Sequence, residues 1–335
     1  MLRKILAGAV ATLLTCSMPV RADELKLAHF MSPQHPMDRF VMTPLAERVA
    51  AASGGDLTIK VYPGGELGAG ANQQYRRAVT GIADIAFNLP QYTPAQFKRS
   101  VLLHVPGLFT SPQEATTRIW SQIGALDEDF SEVRLLAFWT NNPSMLLTRD
   151  KPVRSLADLR GMKVRIPDPV SGSIIEAWGG IPVSLPATET YNALSTGIVD
   201  ALLIDASAVG SYKLNEITRY ATVNIPGALS TFSLIMNKAS WDRLSPAQQA
   251  VLTQETGEKL SIEAAQAFQR AGDEGMAALK ASNVEMITLD DANLGEFTAA
   301  MQAPVERFLT AQGTEHGFDG KAFVDRFRIR DQAAP

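Results

Sequence analysis

Short strand-like runs that alternate with helical segments constrain this chain more than any other feature. Residues 25–30, 57–62 and 85–87 have the alternating or continuous apolar character of strands. Residues 38–52 and 71–80, which separate them, carry apolar side chains at helical spacing. Strands that alternate with helices predict an α/β fold in which helices connect the strands of a sheet.

The N-terminus has the pattern of an export signal. A basic start precedes an apolar run over residues 5–15, which is too short to span a bilayer. Small residues then indicate cleavage after Ala22, so we expect residues 1–22 to be removed and the mature chain to begin at Asp23 in the periplasm. The only cysteine, Cys16, lies inside this signal, which predicts a mature protein without disulfides. A lipid anchor on that cysteine is disfavoured because threonine precedes it.

Charge and length exclude several classes of protein. The chain has 35 acidic and 31 basic side chains and a net charge of −4 at pH 7. This balance argues against a nucleic-acid partner or a broad anionic membrane surface, although one placed cation can still bind an anion. A length of 335 residues is more than one small core needs and suits two lobes.

One short pattern occurs twice in the chain. Residues 80–84 read Thr-Gly-Ile-Ala-Asp and residues 196–200 read Thr-Gly-Ile-Val-Asp, and each pattern ends a helical segment at glycine before a buried strand. Such junctions are common, so the match can be chance; the alternative is two α/β lobes of similar design. Ligands bind at the carboxyl ends of strands in these sheets, so two facing lobes predict a cleft between them.

The later part of the chain is predicted to be helical and then irregular. Residues 244–282 contain no proline after Pro246 and predict one or two long helices, followed by short polar segments to the end. Ser111 and Ser245 are each followed by proline and, three positions on, by Glu or Gln. This pattern predicts capping boxes at two helix starts.

A basic strand that stops at proline supplies the main candidate for ligand contact. Residues 159–167 read Leu-Arg-Gly-Met-Lys-Val-Arg-Ile-Pro, so Arg165 lies where the predicted strand ends. Most strand arginines are surface residues, but one at a strand's end faces the crevice, and its planar fork suits a carboxylate. Such a side chain touches little core, so we expect Arg165→Ala to change the free energy of unfolding by about 1 kcal/mol or less.

Together these segments resemble the substrate-binding proteins of TRAP (tripartite ATP-independent periplasmic) transporters. The matching segments are residues 61–68, 80–84, 105–109, 151–153, 158–167 and 191–200. The resemblance implies a two-lobed periplasmic-binding-protein fold of the α/β class, with a long helix bracing both lobes and a ligand cleft between them. It implies that Arg165 grips the carboxylate of an organic acid, and that the partners are this acid and TRAP membrane permease subunits.

On this basis we predict the lobes and the function. Residues 23–146 with about 233–262 form the first lobe, and residues 147–232 with about 263–335 form the second. The expected role is periplasmic capture of a small organic monocarboxylate and its delivery to the permease. Two rivals stay open: a sensing module for a membrane sensor kinase, and a periplasmic enzyme that uses the same cleft.

Two positions depart from the pattern of many relatives. Met145 stands where many have a second arginine, and residues 202–205, Leu-Leu-Ile-Asp, stand where many have an asparagine. A pocket that loses a cation and an amide favours a monocarboxylate with an apolar or aromatic body over dicarboxylates and sugar acids. If the register differs by one residue, Asp205 itself lies in the pocket.

Further candidates come from strand ends and the loops after them. The expected apolar walls are Phe30, Phe87, Trp139, Met145 and Phe232, and the expected polar contacts are Asn88, Asn141 and Asn142. Each apolar residue can equally be ordinary core, and each asparagine can serve a turn.

Other chemistry is disfavoured by spacing. The glycine-rich residues 64–70 lack the G-x-G-x-x-G pattern of a dinucleotide site. The histidines do not have metal-ligand spacing. His29 and His35 lie near each other in the sequence, but a metal pair formed by them is disfavoured. No serine lies in a G-x-S-x-G elbow. We therefore predict no catalytic residue, metal or cofactor.

Overall fold

The computed structural model describes residues 23–328, so the predicted export signal and its cleavage point lie outside the described residues. The strands are β1 (Asp23–Ala28), β2 (Leu57–Tyr62), β3 (Ile85–Asn88), β4 (Val133–Thr140), β5 (Ser144–Thr148), β6 (Lys163–Ile166), β7 (Ile181–Ser184), β8 (Ala201–Asp205), β9 (Tyr220–Thr222), β10 (Thr231–Asn237) and β11 (Glu285–Ile287). The helices are α1 (Thr43–Ala52), α2 (Gln74–Val79), α3 (Pro112–Trp120), α4 (Pro169–Ala177), α5 (Thr190–Thr196), α6 (Ala208–Ser211), α7 (Lys238–Asp242), α8 (Pro246–Glu255), α9 (Gly257–Ala281), α10 (Asp291–His316) and α11 (Gly320–Asp325).

Two sheets organise these elements into two lobes. The sheet of the first lobe has the order β2-β1-β3-β10-β4, with β1 parallel to β2 and β3, and β10 antiparallel to β3 and β4. The sheet of the second lobe has the order β11-β9-β5-β8-β6-β7, with β6 parallel to β7 and β8. Buried apolar clusters cover the sheets, so each lobe has its own core. None of the helices in residues 23–328 is long and apolar enough to cross a membrane.

The repeated pattern performs the same task in both lobes. The carboxylate of Asp84 accepts a hydrogen bond from the Lys26 N–H of β1 at 2.7 Å, and that of Asp200 accepts one from the Lys163 N–H of β6 at 2.8 Å. In each copy the glycine has a left-handed backbone, with φ of +72° at Gly81 and +77° at Gly197. The interpretation of the repeat as two similar lobes is therefore confirmed.

Within residues 23–328 the chain passes from one sheet to the other three times: in the loop before β5, in the loop before β10, and through helices α7 to α9 before β11. The predicted division after residue 146 falls inside β5, whose Ser144 already pairs with Asp205 in the second sheet. The predicted division after residue 232 falls inside β10, whose Thr231 already pairs with Thr140 in the first sheet. The strand pairing therefore places these two lobe boundaries in the loops before β5 and β10. The other predicted limits of the lobes stay a prediction.

One of the two predicted capping boxes forms. Ser245 accepts from the Gln248 N–H and the Gln248 side chain accepts from the Ser245 N–H, so α8 begins with a complete box. Ser111 accepts from the Glu114 N–H, but the Glu114 carboxylate instead accepts from the N–H of Thr110 at 3.0 Å. The second prediction is wrong by one residue because an extended Ser111, with φ of −150°, leaves the preceding amide within reach.

Helix α9 braces the lobes, as expected of the long late helix. It packs against β4 and α3 of the first lobe and against α6 of the second. A Cβ on Gly275 would lie 1.9 Å from the carbonyl oxygen of Ala206, and one on Gly272 would lie 2.4 Å from the side-chain nitrogen of Asn142. Both glycines weaken an isolated helix, but here they permit the close approach of α9 to the connecting segments.

The expectation of short polar segments at the end of the chain is wrong. Asp291–His316 forms one helix of 26 residues that runs through Pro304. Proline inside a helix costs about 3 kcal/mol. Phe297 belongs to the core of the second lobe and Leu309 to the core of the first, so α10 buries side chains in both. This double burial offsets the proline, and Gly317, with φ of +74°, ends the helix.

Candidate ligand-binding site

A cavity lies between the lobes, and the empty space in it and at its mouth, part of which is open to solvent, is about 500 Å³. The first lobe and α9 line it with Met31, His35, Leu89, Tyr92, Phe232 and Phe268. The second lobe lines it with Arg165, Leu203, Ile204, Asp205, Ser207 and Tyr212. Several of these residues end parallel strands or follow them, which is where ligands bind in open α/β sheets.

Arg165 is a buried cation whose guanidinium group keeps unused hydrogen-bond donors. It is 2% exposed, its Nε donates to the Leu185 carbonyl at 2.8 Å, and its Nη1 donates to the Leu203 carbonyl at 3.2 Å. Within residues 23–328 it forms no ion pair, and Nη2 has no acceptor. A buried charge without a partner is costly, so the site is built for an anion. The two backbone bonds also contradict the expectation that Arg165 touches little of the fold.

Asp205 lies in the same cavity, at the end of β8, and is 6% exposed. Its carboxylate accepts from Asn141 Nδ2 at 2.6 Å, from the Ser207 N–H at 2.9 Å and from the Ser207 hydroxyl. Burial raises the pKa of Asp205, and the bonds from Ser207 and Asn141 oppose that rise without cancelling it. Ile204 lines the cavity as well. The sequence left open two alignments of residues 202–205 that differ by one residue, and the structure brings both Ile204 and Asp205 to the cavity.

Five rings form an aromatic stack that leads into the cavity wall. The centroid distances are 5.5 Å for Phe30–Phe87, 5.7 Å for Phe87–Trp139, 5.5 Å for Phe87–Phe232, 6.1 Å for Trp139–Phe232 and 4.7 Å for Phe232–Phe268. Only Phe232 and Phe268 line the cavity. The predicted wall residues Phe30, Phe87 and Trp139 lie behind them, in the core of the first lobe.

Of the three predicted asparagines, Asn141 lines the cavity, whereas Asn88, Asn142 and the predicted wall residue Met145 make contacts inside the protein and do not line it. Asn88 donates to the Ser233 hydroxyl at 3.3 Å, and Asn142 donates to the Phe268 carbonyl at 2.7 Å. Met145 packs in the core of the second lobe. Its neighbour Ser144 lines the cavity instead, because successive side chains of a strand point to opposite faces.

The lining residues that the sequence analysis does not identify as ligand contacts include His35, Tyr92 and Tyr212. The Tyr92 hydroxyl of the first lobe accepts from the Ala187 N–H of the second at 3.0 Å. The Tyr212 hydroxyl of the second lobe lies 3.1 Å from the Met31 sulfur of the first. His35 and Tyr92 follow β1 and β3, and their position after a parallel strand is the signal that could have identified them.

A buried ion pair joins the lobes beside the cavity. His104 of the first lobe has Nε2 2.9 Å from an Asp168 carboxylate oxygen at the start of α4, and its Nδ1 is 2.9 Å from the Leu229 carbonyl. Burial alone would lower the pKa of His104, but the charge and hydrogen bond of Asp168 outweigh it and raise the pKa. Burial would raise the pKa of Asp168, but His104 and Ser171 hold it below its usual range.

Metal-ligating groups do not cluster in the part of the chain that the structure describes. Among residues 23–328, no three His, Cys, Asp or Glu side chains are placed to hold a metal ion. His29 lies 3.3 Å from the Asp38 carboxylate, and burial lowers its pKa despite that neighbour.

Comparison with known proteins gives a family match and close structural neighbours. The family model described as "Bacterial extracellular solute-binding protein, family 7" matches residues 27–312. The C4-dicarboxylate-binding periplasmic protein DctP of Rhodobacter capsulatus is 27% identical over 255 residues, which cover 71% of this chain and 73% of that protein.

Two solved structures share the fold closely. A marine metagenome TRAP solute-binding protein specific for aromatic acid ligands, in complex with metahydroxyphenylacetate, is 25% identical with a TM-score of 0.87, covering 91% of this chain and 97% of the other. A TRAP solute-binding protein from Rhodoferax ferrireducens, in complex with copurified benzoate, is 29% identical with a TM-score of 0.86, covering 92% and 97%.

Proposed function

The chain belongs to family 7 of the bacterial extracellular solute-binding proteins, and from that premise we propose that it captures a small aromatic monocarboxylate and delivers it to a membrane permease. The resemblance to TRAP solute-binding proteins and the two-lobed α/β fold are confirmed. Members of this family are solute-binding proteins, not enzymes. The observation that carries the ligand proposal is Arg165, a buried cation that lines the same cavity as the rings of Phe232 and Phe268.

The charges of the cavity favour one carboxylate over two. Arg165 is the only Arg or Lys that lines the cavity in residues 23–328, and Asp205 shares the space with it. A second ligand carboxylate would find no further cation there, and a buried charge without a partner is costly. Met145 supplies no second cation, because it is packed in the core of the second lobe. The name of the Rhodobacter relative is therefore a poor guide to this ligand.

The wall of the cavity favours a flat apolar body. A charge-assisted bond contributes roughly 1.5–3 kcal/mol, whereas micromolar affinity requires about 8 kcal/mol. Burial of about 100 Å² of ring surface against Phe232 and Phe268 would add about 2.5 kcal/mol, and aromatic pairing adds more. The aromatic acids bound by the two structural neighbours support this class of ligand.

Export and delivery complete the proposal. The basic start and apolar run of residues 1–22 support export to the periplasm, with the mature chain beginning at Asp23. Contacts between Tyr92 and Ala187, and between His104 and Asp168, would form as the lobes close over the ligand. A permease that recognises the closed form would then receive a loaded protein.

A thermal-shift screen followed by calorimetry tests the ligand class. Benzoate and phenylacetate should raise the melting temperature, because a ligand that binds only the folded state stabilises it. Succinate and galacturonate should leave it unchanged. Micromolar binding of either of these two acids, without binding of an aromatic acid, would refute the proposal.

A further inference from the structure

His35 brings an unused hydrogen-bond donor to the cavity. It follows β1 in the first lobe, lines the cavity and is 3% exposed. Its Nδ1 accepts a bond from the Met37 N–H at 3.1 Å. A ring nitrogen that accepts carries no proton, so the neutral imidazole has its hydrogen on Nε2.

The ring is a neutral donor rather than a second cation. Burial, with a smaller contribution from His29, lowers the pKa of His35 to about 3. At the pH of the periplasm His35 is therefore uncharged and does not compete with Arg165 for the carboxylate. Its Nε2–H can donate to an oxygen that carries no charge.

The protein offers this donor no acceptor among residues 23–328. The neighbouring rings are Phe268, at a centroid distance of 6.2 Å with its plane nearly perpendicular, and Tyr212, at 6.3 Å. A donor that borders a cavity and has no partner in the protein is available to a ligand. The cavity that His35 lines is the place from which a partner can come.

We propose that His35 is a specificity-determining residue whose Nε2–H donates to a neutral oxygen substituent on the body of the ligand. The preferred ligands would then be aromatic monocarboxylates that carry a hydroxyl group, with Arg165 binding the carboxylate and His35 binding the hydroxyl oxygen. A second carboxylate is a poor alternative acceptor because no second Arg or Lys among residues 23–328 lines the cavity. This inference rests on the proposed function and adds that the aromatic ligand carries a hydroxyl group.

The test compares benzoate with 2-, 3- and 4-hydroxybenzoate by calorimetry. Wild-type protein should bind at least one hydroxybenzoate about 5- to 10-fold more tightly than benzoate, as one hydrogen bond allows. His35→Asn can place its Oδ1 near the position of Nδ1 to accept from the Met37 N–H, and it leaves no N–H at the position of Nε2, so it should reduce the ratio of hydroxybenzoate to benzoate affinity to within about twofold. His35→Gln carries an amide N–H near the position of Nε2 and should restore part of the preference.

A measurement on the unchanged protein guards against a variant that fails to fold. The ¹⁵N resonance of His35 Nε2 should shift when the preferred hydroxybenzoate is added and should change little with benzoate. Equal binding of benzoate and all three hydroxybenzoates would overturn the inference, as would equal weakening of every acid by His35→Asn or a preference that survives it. If none of the aromatic acids binds, the proposed function itself is wrong, and the role proposed for His35 fails with it.

Discussion

The first lobe lines the cavity with rings, whereas the second lobe lines it with charge. The first presents Phe232 at the end of a stack of aromatic rings, and the second presents Arg165 and Asp205. Yet the two sheets are fixed by the same bond, from a strand N–H to Asp84 in one lobe and to Asp200 in the other. The comparison shows that the two lobes share the hydrogen bond made by the aspartate before β3 or β8. The residues at the carboxyl ends of the strands, which line the cavity, differ between the lobes.

The largest effect should come from removing the charge of the second lobe. Arg165→Ala should weaken binding of benzoate by at least a hundredfold, about 3 kcal/mol, because a buried carboxylate would lose its cation. Arg165→Lys should fail nearly as badly, since a point charge cannot keep both backbone bonds and still meet the ligand. Calorimetry measures both losses.

The same variants should also lower stability, contrary to the expectation from the sequence. The carbonyls of Leu185 and Leu203 lose their donor, which should cost about 1–3 kcal/mol in the free energy of unfolding. Arg160→Ala is the matched control, because this side chain is exposed in the same basic segment and should change neither property. Wild-type affinity in Arg165→Ala would place the carboxylate site elsewhere.

A smaller effect should follow from separating α9 from the second lobe. Gly275→Ala would place a Cβ 1.9 Å from the Ala206 carbonyl, and we expect urea unfolding to show a loss of about 2–3 kcal/mol. Gly295→Ala in α10 meets no atom within 4 Å and should gain up to about 1 kcal/mol from helix propensity. Equal changes in the two variants would mean that the contact between α9 and the second lobe does not contribute.

The aromatic wall of the first lobe should have a smaller effect on affinity. Phe232→Leu keeps an apolar side chain but removes stacking with the ligand, which is worth about 0.5–1.5 kcal/mol. Benzoate should therefore bind about 2- to 10-fold more weakly, while an aliphatic acid such as butyrate should be little affected. Competition binding with both acids measures this ratio, and parallel losses for the two would contradict an aromatic wall.

The smallest effect should come from the ion pair that joins the lobes. The pKa of His104 is raised, so the attraction to Asp168 is present below that pKa and is lost as the pH rises through it. Benzoate should bind a few-fold more weakly once the pH has risen through the pKa of His104, which lies above the usual range of a histidine. His104→Gln, which cannot titrate, should remove this dependence, and a variant as pH-sensitive as the wild type would show that another group is responsible. The other groups that His104 contacts are the Ser171 hydroxyl and the Leu229 carbonyl, and neither of them titrates in this range.

The sequence predicts the architecture better than the cavity. Strand and helix periods, the repeated turn and the proline after Arg165 are local patterns, and each indicates its element directly. Which side chain faces the ligand depends on strand pairing, and this separates Ser144 from Met145. His35 gains its meaning only when a loop from the first lobe packs on Phe268, a contact between segments far apart in the sequence. The long helix α10 is not predicted from the sequence, because burial of its side chains in the cores of both lobes outweighs the local cost of Pro304.

The place of β10 between β3 and β4 has a consequence for the order of folding. Strands β5 to β9 follow one another in the chain and pair among themselves, so most of the second sheet can form before the rest of the protein is available. The first sheet must wait for Thr231–Asn237, which closes a long loop and is slow for that reason. A chain that refolds after export would thus complete its charged half before its aromatic half, and pulsed hydrogen exchange should protect β5, β6 and β8 earlier than β3 and β10.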